Sequence, residues 1–348
     1  MIPIVFAIPR AELGGAQRSL LLLLRGLDRS AFPPRVFLGE DGPLARSLEK
    51  LEVPFEIANA SFKAPRAVVR FLRFAKGVHV LHLYGARTLA LAARGSGMKV
   101  IERVNLLRSA EAGGFVRSAF LDRLLLTLSH FIIVPSRAME AQLLGRGVPP
   151  EKLRLIPNGV FLEPPRVSAE VVRERLGVAK DAFVVLGIGR LARVKGFDVL
   201  ADAFETVKRA RPDAVALVAG EGPERRLLEG RVRLLGDRED VSDLLAAADV
   251  FVQPSRSEVL SNALLEAMLA GKACVATNVG GTGEAVAHEE TGLLVESADD
   301  MARAILRLAG DPALRARLGE KARAAVRDTR SVDAMARAHE ALYREADA

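Results

Sequence analysis

The chain has 348 residues, 50% of them apolar, which suits two globular domains and excludes a largely disordered protein. Its 29 Gly and 17 Pro are too scattered for a collagen-like or low-complexity chain, and its one cysteine, Cys274, excludes an internal disulfide framework or a multi-thiolate zinc site. Net charge is +7 but uneven: residues 1–165 carry 23 Lys and Arg against 13 Asp and Glu, and residues 166–348 carry 27 against 30. The first half therefore favours an anionic partner, whether nucleic acid, anionic lipid or a phosphorylated substrate.

No segment offers the ~18 uninterrupted apolar residues of a membrane span. The start of the chain has neither the basic flank nor the cleavage-like end of a signal peptide, and a single cysteine fits a reducing compartment. A cytoplasmic protein is expected, with peripheral contact to the inner face of a membrane left open.

Short apolar runs alternate with helical patterns along the chain. Residues 2–8 read as a strand closed by Gly14-Gly15, and 16–27 as a helix. Strands follow at 35–38, 55–57, 78–83, 99–104 and 131–134, with helices at 43–51, 65–75, 88–94 and about 116–128. This alternation implies a parallel sheet with helices on both faces. Ile156-Pro157-Asn158-Gly159-Val160, with Pro164-Pro165 beyond, breaks the pattern as a linker. A second series has strands at 183–187, 214–219, 232–234, 250–253, 273–277 and 293–295. Its helices lie at 196–209, 224–230, 241–247, 262–269 and 284–287, and the tail from Asp300 is helical. The fold class is α/β: two Rossmann-like halves, 1–162 and 166–330, which bind ligands at the carboxyl ends of their strands.

Four segments carry chemistry at such ends. Gly14-Gly15 lets backbone N–H groups approach a phosphate at a positive helix start, and equally suits a tight turn. Neither half has the GxGxxG fingerprint, which argues against a dinucleotide cofactor. Gly189-Arg190 and Lys195-Gly196 place two cations after a strand, where they suit a diphosphate clamp, the alternative being a pair of solvated surface charges. In Ser255–Met268, Ser261 is suited to cap the next helix, so Glu258 lies in the loop and Glu266 on the second turn. A sugar nucleotide bound at that helix start would have a carboxylate on each side, Glu266 for ribose hydroxyls and Glu258 for sugar hydroxyls. Glu266 also sits among Leu264, Leu265, Ala267 and Met268, where a carboxylate needs a partner. The loop Asn278-Val279-Gly280-Gly281-Thr282-Gly283-Glu284 is another glycine-rich turn able to wrap a sugar or phosphate.

Three weaker signals remain. His82 ends strand 78–83 and is expected to face a cleft, although a packed imidazole fits the position too. Lys63, Arg66, Arg70 and Arg73 fall at helical spacing among Val68, Val69, Phe71, Leu72 and Ala75, the pattern of a surface helix or of one lying on an anionic membrane. With 5% aromatic residues and no Trp, base-stacking platforms are scarce, and nucleic acid is not an expected partner. No Asp-x-Asp follows an apolar strand, so no metal is expected to bridge a diphosphate.

Taken in order, GGAQRSL (Gly14–Leu20), IPNGV (Ile156–Val160), GRLARVKG (Gly189–Gly196), LLAAADVFVQPS (Leu244–Ser255), the carboxylate pair Glu258 and Glu266, LLEAMLAGKACVAT (Leu264–Thr277) and VGGTGE with HEETGLLV (Val279–Val295) resemble the family 4 retaining glycosyltransferases of the GT-B fold. The resemblance spans nearly the whole chain. It implies two Rossmann-like domains facing across a cleft, with a last helix of about 331–348 returning to the first. It implies that Arg190 and Lys195 hold the donor diphosphate and stabilise the charge on the leaving phosphate. Glu266 would hold the ribose, and Glu258 the sugar, with backbone N–H groups around Leu260, Ser261 and Asn262. Gly189 and Gly236 would border the nucleotide, and Gly14-Gly15 would close on the phosphate. Two departures stand out. Asn105 occupies a place where many members carry His, which makes Arg103 and Asn105 candidates for acceptor or sugar contact. Val259 replaces the usual Gly after the first glutamate. The implied activity is metal-independent, retaining sugar transfer, needing no cofactor, from a nucleotide-diphosphate sugar, most commonly UDP-linked in this family. The implied acceptor is a glycan or lipid-linked molecule of bacterial cell-surface assembly. The alternative is a GT-B-fold sugar-nucleotide epimerase that takes the same donor without acceptor.

Overall fold

The computed structural model describes residues 1–104 and 127–348. They divide into two compact units, Met1–Gly159 with Val332–Ala348, and Val160–Ser331. Asn105 and the expected helix 116–128, up to residue 126, lie outside the described residues.

The first unit is built on seven described strands: β1 Ile4–Ile8, β2 Pro34–Leu38, β3 Phe55–Ile57, β4 Val80–Leu83, β5 Lys99–Arg103, β6 Phe131–Val134 and β7 Leu153–Leu155. They are parallel, in the order β3-β2-β1-β4-β5-β6-β7. Every residue of β1 is buried, as expected of a central parallel strand covered on both faces. Helix Gly15–Gly26 presents Leu20, Leu23 and Leu24 to the core at the 3–4 spacing of one helical face. Helix Val332–Asp347 does the same with Met335, Ala336, His339, Leu342, Tyr343 and Ala346. These side chains share one apolar cluster with Ile4, Phe6 and Val80, so the last helix belongs to the first unit's core.

The second unit repeats the scheme with β8 Val184–Ile188, β9 Val215–Ala219, β10 Arg233–Leu234, β11 Val250–Gln253, β12 Ala273–Thr277 and β13 Leu293–Val295. All are parallel, in the order β10-β9-β8-β11-β12-β13. Alternate residues feed two cores. Val185, Val218 and Val252 pack against helices Phe197–Ala210 and Ala298–Gly310, while Leu186, Leu217 and Phe251 pack against Val241–Ala247 and Asn262–Leu269. Each fully buried Leu, Val or Phe contributes about 1.5–3 kcal/mol by leaving water.

In both sheets the strand order reverses at one place, between β1 and β4 and between β8 and β11. Loops diverge at such a switch point and leave a crevice at the carboxyl ends, where open α/β sheets bind their ligands.

Candidate functional site at the second switch point

Four loops leave the carboxyl ends of β8, β9, β11 and β12, and they are bonded to one another. After β8, Gly189 N–H donates to Ala219 O at 2.9 Å and Leu191 N–H to Glu221 O at 2.8 Å. The chain then makes a short turn, Arg193–Lys195, and enters helix Phe197–Ala210 through Gly196, whose φ of +65° is left-handed. A Cβ on Gly196 would also meet Pro254 O at 2.0 Å, so only glycine lets the β8 turn rest on the β11 loop.

The two loops are held together further along. Arg256 N–H donates to Val194 O at 2.9 Å, and Arg256 Nη1 to Arg193 O at 3.1 Å. The Arg256 guanidinium grips Asp198 with two bonds of 2.6 and 2.5 Å. That hydrogen bonding holds the Asp198 carboxyl below the usual carboxylate range. At the open end of this seam Lys195 Nζ forms an ion pair with Glu258 Oε2, and Ser255 Oγ reaches the same oxygen at 3.4 Å. The side chains are 27% and 12% exposed, so the pair sits at the rim of the crevice and remains open to solvent. Arg190 is exposed, with no ion pair among the described residues.

The β12 loop seals the other side. Gly280 has φ +54°, and a Cβ there would lie 1.6 Å from Glu258 O; Gly281 N–H donates to Val259 O at 3.0 Å. Gly280 thus sets the position of the Glu258 backbone by close approach. Helix Asn262–Leu269 starts beneath, capped by Ser261 Oγ, which accepts from Leu264 N–H at 3.3 Å. Leu260 and Ser261 are buried, and Glu266 is half-buried on the second turn. Gly236, at φ +70°, accepts from Gly220 N–H at 2.7 Å, which brings the loop after β10 to the same end of the sheet.

The structure therefore brings Gly189, Arg190, Lys195, Gly236, Glu258, Leu260, Ser261, Asn262 and Glu266 to the loops and helix starts at one end of one sheet. It adds a segment not singled out above, Gly220-Glu221-Gly222. A Cβ on Gly220 would meet Gly189 O at 2.0 Å, and one on Gly222 would meet Leu191 O at 2.3 Å. The signal was present as a Gly-x-Gly-Pro run directly after β9. The cations, the carboxylate and the helix start form a surface that can hold a diphosphate on one side and hydroxyls on the other. Among the described residues, no group of three or more His, Cys, Asp or Glu is placed to hold a metal ion.

In the first unit Gly14 opens helix Gly15–Gly26 at the carboxyl end of β1, with Gln17 Oε1 accepting its N–H at 3.2 Å. Gly14 and Gly15 are exposed at this helix start. His82 and Arg103 depart from expectation. Both are fully buried, at 0% and 1% exposure, and no ligand reaches them from solvent here. Helix Val332–Asp347 covers them. His82 Nδ1 lies 2.8 Å from Tyr343 OH, and its ring stacks on His339 with centroids 5.6 Å apart. Arg103 Nη2 donates to Asn158 Oδ1, which also accepts from Ser19 Oγ at 3.3 Å. His339 Nδ1 faces Met335 O at 2.8 Å, so Nδ1 carries the proton and Nε2 faces Arg103 Nη1 at 3.5 Å as an acceptor. Burial first, and the neighbouring Arg103 second, push the His339 imidazole down to about 3. Burial, with His339 and Arg103 beside it, also holds His82 well below its ordinary value.

Comparison with known proteins follows the two units. A family described as glycosyl transferases group 1 matches residues 182–311, and a glycosyl transferase 4-like domain matches residues 14–159. Among curated relatives, the lipopolysaccharide core biosynthesis glycosyltransferase LpsD of Rhizobium meliloti is 38% identical over 44% of this chain and 47% of its own. The UDP-Gal:alpha-D-GlcNAc-diphosphoundecaprenol alpha-1,3-galactosyltransferase of Escherichia coli is 33% identical over 48% of this chain and 48% of its own. The chain spans about half the length of these relatives. Among solved structures, Anabaena HepE in complex with UDP and glucose has a TM-score of 0.87 at 25% identity, covering 99% of this chain and 100% of that one.

Proposed function

We propose, from the two glycosyltransferase family models that match its two units and from the GT-B fold it shares with HepE, that the chain transfers a sugar from a UDP-sugar to a glycan or lipid-linked acceptor, with retention and without a bound metal. The Lys195–Glu258 pair at the second switch point carries this reading. A diphosphate entering beside Arg190 competes with Glu258 for Lys195. The ammonium then turns to the phosphate, and the released carboxylate accepts hydrogen bonds from sugar hydroxyls. Lys195 and Arg190 stabilise the negative charge that grows on the leaving phosphate, in place of a divalent cation. Glu266 takes the ribose hydroxyls from the helix. UDP complexes of HepE and the UDP-Gal donor named for the E. coli relative support the choice of nucleotide.

The acceptor reading rests on the named relatives and on one surface. Helix Pro65–Phe74 buries Ala67 and Phe71 and turns Val69 and Leu72 outward, 47% and 37% exposed. Lys63, Arg66, Arg70, Arg73 and Lys76 stand exposed around them, with Arg70 paired to Glu56 at 2.8 Å. This mix of cations and apolar side chains suits the headgroup region of an anionic bilayer and gives access to a lipid-linked acceptor. Among the described residues no helix is long and apolar enough to cross a membrane.

UDP release from a panel of UDP-sugars, followed with and without lipid-linked acceptor and with and without EDTA, tests the proposal. Acceptor-dependent, EDTA-insensitive release, with an α-linked product from an α-linked donor, is expected. An epimerised sugar nucleotide formed without acceptor would establish the epimerase instead.

A further inference from the structure

A second cationic site lies at the opposite end of the first unit's sheet. Three adjacent strands, β5, β6 and β7, begin there. Lys99 is the first residue of β5, His130 immediately precedes β6, and Lys152 immediately precedes β7. Arg94, near the end of helix Ala90–Gly95, joins them around an open cavity of about 350 Å³. This is the amino edge of the strands, opposite the carboxyl ends of the same sheet.

Two of these groups are anchored to backbone. Lys152 Nζ donates to Thr127 O and Ser129 O at 2.9 and 3.0 Å, and Arg94 Nη1 donates to Leu128 O at 3.0 Å. Capping those carbonyls accounts for two cations. It leaves Lys99 over, with no acidic partner among the described residues, and it leaves most of the guanidinium donors of Arg94 unspent. Glu345, the one carboxylate on the cavity wall among the described residues, is committed to Arg154. Val100 N–H donates to His130 Nδ1 at 2.9 Å, so the proton of the neutral ring sits on Nε2, a further donor on the wall. Burial, and then the crowding of Arg94 and its fellow cations, lowers the proton affinity of both His130 and Lys152. Such mutual repulsion is relieved by an anion.

A second observation is independent of charge. Ser129 is fully buried on the cavity wall, and its Oγ has no hydrogen-bond partner among the described residues. A buried hydroxyl left unpaired is costly, and native structures almost always satisfy it. A tetrahedral oxyanion among Arg94, Lys99 and Lys152 would accept its hydrogen.

We propose that Arg94, Lys99, Ser129, His130 and Lys152 form a binding site for a phosphate group, separate from the site of sugar transfer. The phosphate comes either from a free phosphorylated small molecule or from a lipid headgroup, and the two sources share this chemistry.

Titration calorimetry of the full chain with inorganic phosphate, in a Lys195→Gln background that weakens the other anion site, tests this at constant ionic strength in chloride. Saturable binding is expected, weakened at least tenfold by Lys99→Gln and also by Arg94→Gln. Ser129→Ala should weaken it several-fold while the melting temperature holds or rises, since it removes an orphaned hydroxyl. Sedimentation with phosphatidylglycerol and phosphatidylcholine vesicles separates the sources. Retention on the anionic vesicles that falls with Lys99→Gln identifies a headgroup, whereas phosphate binding with Lys99-independent retention identifies a free ligand. Absence of saturable phosphate binding, or binding indifferent to both Lys99→Gln and Arg94→Gln in folded protein, overturns the proposal.

Discussion

Beyond β8 and β11, Lys195 and Glu258 pair at the rim of a crevice, 27% and 12% exposed, held by loops whose bonds are mostly backbone to backbone. On β4 and β5 of the other unit, His82 and Arg103 stand near equivalent strand ends with no exposure, covered by helix Val332–Asp347. Both sets are polar side chains near the carboxyl ends of parallel strands. A charge on the rim keeps partners that a ligand can exchange, whereas a charge under a helix must be satisfied permanently and becomes part of the core.

That contrast can be broken or sharpened by substitution. Lys195→Ala is expected to lower turnover about 10²–10³-fold, the loss typical of one preorganised charge-stabilising donor. It should leave the melting temperature nearly unchanged, because a solvent-open pair contributes about 1 kcal/mol or less. Unaltered turnover would remove Lys195 from the chemistry. Arg103→Ala should do the reverse. It empties a core position and removes one donor to Asn158 Oδ1, a cost of about 3 kcal/mol in urea denaturation, while UDP binding at the second unit persists. A folded, equally stable variant with impaired turnover would make Arg103 a ligand contact after all.

The imidazole pair gives a pH test. Both His82 and His339 have folded-state pKa values below the ordinary 6.5, so protonation favours the unfolded chain. Their contribution is fully present above about pH 6.5 and is lost as pH falls below it, by about 1.4 kcal/mol per unit for each ring. Melting curves from pH 7 to 5 should drop steeply, and His339→Gln should flatten the drop. A pH-independent melt over that range would show that neither ring is held neutral.

Gly280→Ala is smaller in stability and sharper in effect. A methyl group must displace the Glu258 carbonyl from 1.6 Å at a φ of +54°, so turnover should fall about tenfold for a stability loss of about 1–2 kcal/mol. The least effect is expected of Arg256→Gln, whose partly exposed pair with Asp198 contributes well under 1 kcal/mol. Turnover should drop only a few-fold as the Lys195 turn loosens. A drop as large as that of Lys195→Ala would move Arg256 from support into direct phosphate contact.

Much of this was legible in the sequence because the strands are continuous apolar runs. The expected strands at 55–57, 131–134, 250–253, 273–277 and 293–295 coincide with the observed ones. The edge strand β7 was not seen: Leu-Arg-Leu is too short and too polar at its centre to stand out, and it pairs only with β6. Helices Arg137–Gly145 and Ala169–Arg175 also passed unread, both short and each burying only one or two apolar residues. The site's glycines and charges were visible as residues, but their pairing was not. Lys195 and Glu258 are 63 positions apart, and only the parallel order of β8 and β11 brings their loops together. The packed reading of His82 could not be chosen over the cleft-facing one for the same reason at longer range, since its covering partner Tyr343 lies 261 positions away.

The placement of Val332–Ala348 in the first unit also sets an order of events on the ribosome. The second unit is continuous from Val160 to Ser331, so its core closes from one unbroken stretch of chain. The first unit begins earlier and finishes later. Its sheet is synthesised first, yet His82 and Arg103 wait without their cover until the closing stretch leaves the exit tunnel.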